Sequence, residues 1–124
     1  MSGNGRQTAT ERFARGVAFS GSAFNSPVLV SSGARVWRLR NWYMIDRRLP
    51  DTDSFAWGYR GQGPYMLAYS MLRELFGAKT AERHGEELMA EVVATLARPD
   101  GPMCIRGGYL WELMEKTKRK GSGA

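Results

Sequence analysis

The side chains that most often carry chemistry are few in this sequence. It holds one histidine, His84, and one cysteine, Cys104. Metal sites and nucleophilic sites built on these residue types need several such groups at defined spacings. His84 lies among glutamates in a stretch of helical periodicity, and Cys104 lies in a short apolar stretch. We therefore expect a surface histidine, a buried and inert cysteine, no catalytic residue, no metal site, no cofactor and no enzymatic activity.

Arginines and aromatic residues alternate between positions 35 and 48, and this run is the better candidate for a site. Guanidinium groups bind phosphate or carboxylate through paired hydrogen bonds, and tryptophan and tyrosine stack on bases or anchor protein interfaces. We predict a binding site made of Arg35, Arg38, Arg40, Trp42, Arg47 and Arg48, joined by Arg60 from the loop that follows. In an extended strand Arg38 and Arg40 point the same way, so we expect them to form an exposed basic ridge.

The charge balance favours an anionic partner. The chain has 18 Lys and Arg against 12 Asp and Glu, a formal net charge of +6. Residues 1–60 hold nine arginines and four acidic residues. A basic half of this kind attracts nucleic acid or an acidic protein surface. Arginine outnumbers lysine 14 to 4, which a GC-rich genome also produces without selection for binding.

A glycine-rich segment over 55–64 is the most distinctive motif. It places Trp57 and Tyr59 among three glycines and leads directly into an apolar stretch. Backbone N–H groups in such a loop can form an anion site, to which Arg60 would add a charged donor. The Walker and dinucleotide-binding patterns are both absent. We favour a tight turn whose glycines, Gly61 among them, have positive φ and whose aromatic rings pack; an enzyme acting on a phosphorylated ligand here is a third alternative.

This motif also carries a family resemblance. The pattern Phe-x-Trp-Gly-Tyr-x-Gly-x-Gly-Pro, followed at once by an apolar helix, resembles an uncharacterised family of small phage, plasmid and other prokaryotic proteins. The resemblance extends from about Arg35 to Lys118 and implies a strand, this loop, two helices and a closing segment with tryptophan. Arg60 stands where the family usually has glycine. The family has no assigned activity, so the resemblance implies a fold and an origin in mobile elements.

The elements that position these residues are predicted from hydrophobic periodicity and turn residues. Val28–Ser31 and Ala34–Arg40 should form a hairpin, after which 42–45 either continue the strand or bend it. Helices are predicted at 64–76 and at about 78–98, separated by Gly77 as a C-terminal cap. A short strand at 103–106 and a helix at 109–118 should follow. The fold class is therefore α+β, with a small antiparallel sheet of three to four strands packed against two to three helices.

The chain length fits a single domain. We predict a flexible N-terminal segment at 1–27 that could hold a short helix, one α+β domain at 28–118, and a flexible basic tail at 119–124. Crossing a bilayer takes about 20 apolar residues, and no run approaches that length. The first residues also lack the unbroken apolar stretch of a secretory signal. We therefore expect a cytoplasmic protein without a membrane partner.

These observations favour binding over catalysis. We expect a phage or mobile-element protein that binds and modulates, by inhibition, a host protein or nucleoprotein complex such as a nucleic-acid-guided defence complex. That would make it an anti-CRISPR protein in its most concrete form. The alternative is an accessory protein that binds DNA or RNA directly through the basic strand. Salt-dependent binding to random oligonucleotides would favour the alternative.

Overall fold

The computed structural model describes residues 7–96 and 101–123, with side chains up to residue 118. In this part the elements follow the order α1 (Ala9–Arg15), β1 (Val17–Gly21), β2 (Leu29–Ser32), β3 (Arg35–Arg38), α2 (Trp42–Ile45), α3 (Gln62–Phe76), α4 (Ala78–Glu91), a 3-10 turn (Val93–Thr95), β4 (Met103–Arg106) and α5 (Gly107–Gly123). The predicted α+β class is confirmed, because four antiparallel strands and the helices share one hydrophobic core.

The sheet has the order β3-β2-β1-β4, and every pair of neighbours is antiparallel. Phe19 pairs with Val30 on one side and with Ile105 on the other, and all three side chains are buried. Because successive side chains alternate between faces, the residues next to them point to the opposite face. That face is open to solvent: Val36 is 61% exposed there. Cys104 also lies on it and is exposed, so the expectation of a buried cysteine is wrong.

The predicted N-terminal boundary at residue 28 is wrong. β1 is hydrogen-bonded on both edges and occupies an inner position of the sheet, and its Val17 and Phe19 belong to the core. α1 begins after Thr8, whose hydroxyl oxygen accepts the backbone N–H of Glu11 at 3.0 Å and so caps the helix. α1 then packs against α5. The segment 9–21 is therefore part of the domain, whereas residues 1–6 of the predicted flexible segment lie outside the described residues.

Two other predicted boundaries also shift. α4 ends at Glu91 instead of continuing to 98, and residues 97–98 lie outside the described residues. α5 begins two residues earlier than predicted and continues to Gly123, so the predicted tail at 119 starts within this helix. The hairpin of β2 and β3 and the strand β4 are confirmed.

α3 is buried on nearly all sides. Leu67, Tyr69, Met71 and Leu72 are fully buried, and α4, α2 and α1 all pack against the helix. Gly77, at φ 98°, ends α3 in a conformation that glycine adopts without strain, as predicted. No helix in the described part of the chain is long and apolar enough to span a bilayer.

Candidate functional site

Two tryptophans of the predicted arginine-rich run meet one carboxylate of α3. Nε1 of Trp37 donates to Oε2 of Glu74 at 3.1 Å, and Nε1 of Trp42 donates to Oε1 of the same residue at 2.9 Å. Trp37 lies on β3 and Trp42 opens α2. Glu74 therefore fixes the position of both rings relative to α3, while each ring remains partly exposed.

Three arginines lie over these two rings. Cζ of Arg35 is 5.6 Å from the centroid of the Trp37 ring. Cζ of Arg73 is 4.3 Å, and Cζ of Arg40 is 5.8 Å, from the centroid of the Trp42 ring. A guanidinium within about 6 Å of an aromatic centroid is attracted by the ring. We call this set the arginine–tryptophan band; its members are Arg35, Trp37, Arg40, Trp42 and Arg73.

A short helix, not a continued strand, brings Trp42 to the band. Asn41 is fully buried and precedes α2; its Oδ1 accepts the backbone N–H of Met44 at 3.2 Å, and its Nδ2 donates to the carbonyl oxygen of Thr52 at 3.1 Å. The backbone N–H of Trp42 donates to Oγ of Ser70, a buried residue of α3, at 2.9 Å. These bonds stop the strand and attach the start of α2 to α3.

Of the two arginines in the predicted basic ridge, Arg38 is paired with carboxylates, whereas Arg40 has no such partner in the described part of the chain. Nη1 of Arg38 lies 3.0 Å from Oδ1 of Asp53, and Nη2 of Arg38 pairs with Asp51. Oδ1 of Asp51 also accepts the backbone N–H of Asn41 at 2.9 Å. The two carboxylates offset the charge of Arg38, so this residue serves mainly to hold the loop over 51–53 against the end of β3.

Asp51→Asn is expected to weaken the acid dependence of folding stability. The hydrogen bond from Arg38 holds the pKa of Asp51 below its usual range. A carboxylate with a lowered folded-state pKa stabilises the fold above its unfolded pKa of about 3.9, and that contribution is lost as the pH falls through the folded-state pKa. Urea unfolding between pH 7 and pH 3 should therefore show a smaller loss of stability for the variant below about pH 4 than for the wild type.

The control for this prediction is Glu91→Gln, which removes an exposed carboxylate of α4. We expect it to keep the wild-type pH profile. If the Asp51 variant also kept that profile, the ion pair with Arg38 would contribute nothing measurable to stability.

The other three predicted site residues lie outside the band. Cζ of Arg47 is 3.7 Å from the centroid of the Tyr43 ring, and its Nη2 is 3.4 Å from Oε2 of Glu82, so α4 partly offsets its charge. Arg48 is exposed in the turn after α2, at φ 62°. Arg60 is exposed in the loop before α3, and no hydrogen bond, ion pair or ring contact in the described part of the chain joins it to the band.

A tyrosine network adjoins the band and holds Arg73. The hydroxyl of Tyr69 donates to Oδ2 of Asp46 at 2.7 Å, and Nε of Arg73 lies 3.0 Å from the same oxygen. Desolvation, reinforced by the bond to Asp46, raises the pKa of Tyr69 well above its usual value, so the hydroxyl remains a donor. Sequence reasoning missed Arg73 and Glu74. Their signal was two adjacent charges in a helix, α3, that has no other charged residue.

The glycine-rich segment packs, as favoured from the sequence, but with different glycines in the key positions. Gly58 has φ 87°, whereas the backbone at Gly61 is extended, so the expected positive φ of Gly61 is wrong. A Cβ at Gly63 would lie 2.9 Å from Cβ of Ala56, which explains the glycine by close approach. Trp57 is fully buried, but Tyr59 is 47% exposed, and its ring centroid lies 6.0 Å from that of Phe24.

The band lies inside a region that protein-family comparison also recognises. A family of unknown function, DUF6166, matches residues 22–120. The chain belongs to this family. The DUF6166 region begins earlier than the resemblance over 35–118 and includes β2 and every member of the arginine–tryptophan band, while α1 and β1 precede it. No curated protein and no solved structure matches the chain.

Proposed function

We propose that this protein is a non-enzymatic binding protein that attaches to an anionic surface of a macromolecular complex through the arginine–tryptophan band and modulates that complex. The observation that carries the proposal is the arrangement of three guanidiniums over two indoles that share one carboxylate. Tryptophan and arginine are the residue types most enriched among side chains that dominate binding energy at protein interfaces.

The band is ordered before any partner binds. Glu74 fixes both indoles, and Asp46 fixes the guanidinium of Arg73. Association costs conformational entropy for each side chain that must be immobilised, and a preordered group has less to lose. This preorganisation supports a binding role for the band, because an arginine that is only solvated has no need of a fixed position.

The charges available to a partner come from Arg35 and Arg40. Both are exposed, and neither forms a salt bridge with an acidic residue within the described part of the chain. Each guanidinium therefore keeps N–H donors for a carboxylate or phosphate while its Cζ lies within about 6 Å of an indole centroid. An anionic partner surface satisfies both.

The same geometry favours a protein or nucleoprotein surface over direct base stacking. Single-stranded nucleic acids bind by stacking bases on free aromatic faces. Two guanidiniums already lie over the ring of Trp42, so a base would have to displace one of them. Direct DNA or RNA binding remains the second candidate because Arg35 and Arg40 could also contact phosphates.

In its concrete form the proposal includes an origin, a compartment and a partner. We propose a protein of a phage or other mobile element that acts in the host cytoplasm and inhibits a nucleic-acid-guided defence complex. The glycine motif and its resemblance to small phage and plasmid proteins support the origin. The net charge of +6 supports a partner that presents acidic groups or nucleic acid.

The double variant Arg35→Glu/Arg40→Glu tests the proposal. A host complex isolated on the immobilised wild type is purified and titrated with both proteins by calorimetry. We expect one-to-one binding by the wild type and at least tenfold weaker binding by the variant, since reversed charges repel an anionic surface. Circular dichroism checks that the variant is folded.

The matched control is Arg106→Glu/Lys116→Glu, which makes the same charge change at two exposed positions outside the band. It should bind like the wild type. If the band variant bound the host complex as tightly as the wild type, the band would have no role in this binding. Wild-type binding to a random-sequence oligonucleotide that falls steeply with salt, and is lost in the band variant, would establish the second candidate instead.

A further inference from the structure

A groove separate from the band opens between the end of α3, the first half of α4, and α5. Its volume is about 210 Å³. The apolar part of its lining is Phe76, Trp111 and Met114, none of which is fully buried. The ring centroids of Phe76 and Trp111 are 6.0 Å apart and the ring planes are inclined by 40°. The groove therefore leaves an apolar surface of irregular shape in contact with solvent.

The rim of this groove is cationic. Lys79, Arg83 and Lys118 line it, and among the described lining residues Glu115 supplies the one carboxylate. Nζ of Lys118 lies 3.5 Å from Oε2 of Glu115, so this pair is close to neutral. Neither Lys79 nor Arg83 forms an ion pair within the described part of the chain. Two positive charges thus line the groove without an ion-pair partner among the described residues.

We propose that this groove binds an acidic segment of a partner protein, which inserts one large apolar side chain against Phe76, Trp111 and Met114. Carboxylates that flank the inserted side chain pair with Lys79 and Arg83. A cavity of about 150 Å³ is enough to hold benzene, so this groove has room for one phenylalanine or leucine side chain. Methionine adapts its shape to different apolar groups, which suits Met114 to this role.

Charge and shape together select this occupant. An apolar side chain alone would gain from burial but would leave the rim cations unpaired, and a basic segment would be repelled. A nucleobase stacks best on an open, flat ring face, and the two inclined rings do not form a parallel slot for one. The proposal does not depend on the arginine–tryptophan band, which contributes no residue to the groove.

The test uses a fluorescein-labelled peptide of ten residues, four Glu or Asp on each side of a central Phe-Leu pair, and measures fluorescence anisotropy with the full chain. We expect saturable one-to-one binding by the wild type. Lys79→Glu/Arg83→Glu should weaken binding at least tenfold. A peptide with Ala-Ala at its centre should also bind at least tenfold more weakly, because the inserted side chain is lost.

Two control variants separate this inference from the proposed function and from general charge attraction. Arg106→Glu/Lys116→Glu, with the same charge change outside the groove, should bind the peptide like the wild type. The band variant Arg35→Glu/Arg40→Glu should also bind it normally, even if it has lost the host complex. If the band variant alone lost the peptide, the anionic segment would bind at the band and the groove proposal would be wrong.

Three further results would overturn the inference. These are absence of peptide binding by the wild type, equal loss in the groove variant and the Arg106/Lys116 control, and tighter binding of an oligothymidylate than of the peptide at the same groove residues. Sedimentation of the free protein adds a fourth outcome. A dimer that dissociates in Lys79→Glu/Arg83→Glu would show that a second copy of this chain, with its acidic α4, occupies the groove instead.

Discussion

Replacing Trp57 by alanine is expected to lower the free energy of unfolding by about 3–5 kcal/mol. The indole is fully buried; its Nε1 donates to the carbonyl oxygen of Gly101 at 2.9 Å, and its ring meets the ring of Phe24 edge-on with centroids 5.3 Å apart. The ring also reaches the sheet, since a Cβ at Gly21 would lie 2.8 Å from its Cη2 atom. Truncation would therefore leave a large cavity between the glycine-rich segment and β1. Equilibrium unfolding in urea measures the loss.

Trp57→Phe is the informative control for this cavity. It keeps an aromatic ring but removes the N–H that binds Gly101, so we expect a loss between that of a single hydrogen bond, about 1 kcal/mol, and that of alanine. A loss below about 1 kcal/mol for alanine would contradict the central position of Trp57. The glycine-rich segment would then be free to act as a site, and Arg60 would return as a candidate for binding.

The core of the fold could be predicted from the sequence because its elements have strong local signals. The apolar run before Gly77 predicted α3 and its burial, and the glycine itself predicted where α3 ends. The hairpin was predictable because two β-branched segments flank a Ser-Gly turn. In each of these cases the local sequence and the tertiary environment favour the same structure.

The inner strand β1 could not be predicted in the same way. Its sequence, Val17–Gly21, holds only three apolar residues before serine and glycine, which is too short for a recognisable alternation. Its stability comes from non-local partners, since β2 and β4 bind its two edges. Gly21 looks like a loop residue, but it is required there because the ring of Trp57 approaches its backbone. Such non-local contacts produce no recognisable pattern in the sequence around Gly21.

The residue types that form the candidate site could be predicted from the sequence, but the contacts that arrange them could not. The sequence indicated that arginine and tryptophan would lie together, and six of the seven predicted residues lie on or beside β3 and α2. Strand periodicity could not show that Asp51 and Asp53 fold back onto Arg38. It also could not show that Glu74, more than 30 residues further along the chain, joins Trp37 to Trp42. Which arginine keeps a free charge is decided by these tertiary contacts.

Gly107→Ala is expected to destabilise the protein by at least about 3 kcal/mol, the upper part of the range for overpacked sites. A Cβ at Gly107 would overlap the carbonyl oxygen of Ala14 and would lie 3.2 Å from that of Val17. Both neighbours are backbone atoms, so no side-chain rotation can relieve the overlap. The methyl group would have to separate the start of α5 from α1 and β1. Urea unfolding and the yield of folded protein report the effect.

The adjacent glycine provides the matched control. A Cβ at Gly108 would lie 3.7 Å from its nearest neighbours in Arg15, which is an ordinary contact, and alanine is favoured over glycine in a helix by up to about 1 kcal/mol. Gly108→Ala should therefore be neutral or slightly stabilising, opposite in sign to its neighbour. The contrast tests the domain boundary directly, because α1 and β1 lie outside the DUF6166 match and touch Gly107. If the two variants had the same stability, the close approach of α1 and β1 to Gly107 would contribute nothing to the fold. If Gly107→Ala alone unfolds, the contact of this segment with α5 is needed by the domain that presents the arginine–tryptophan band.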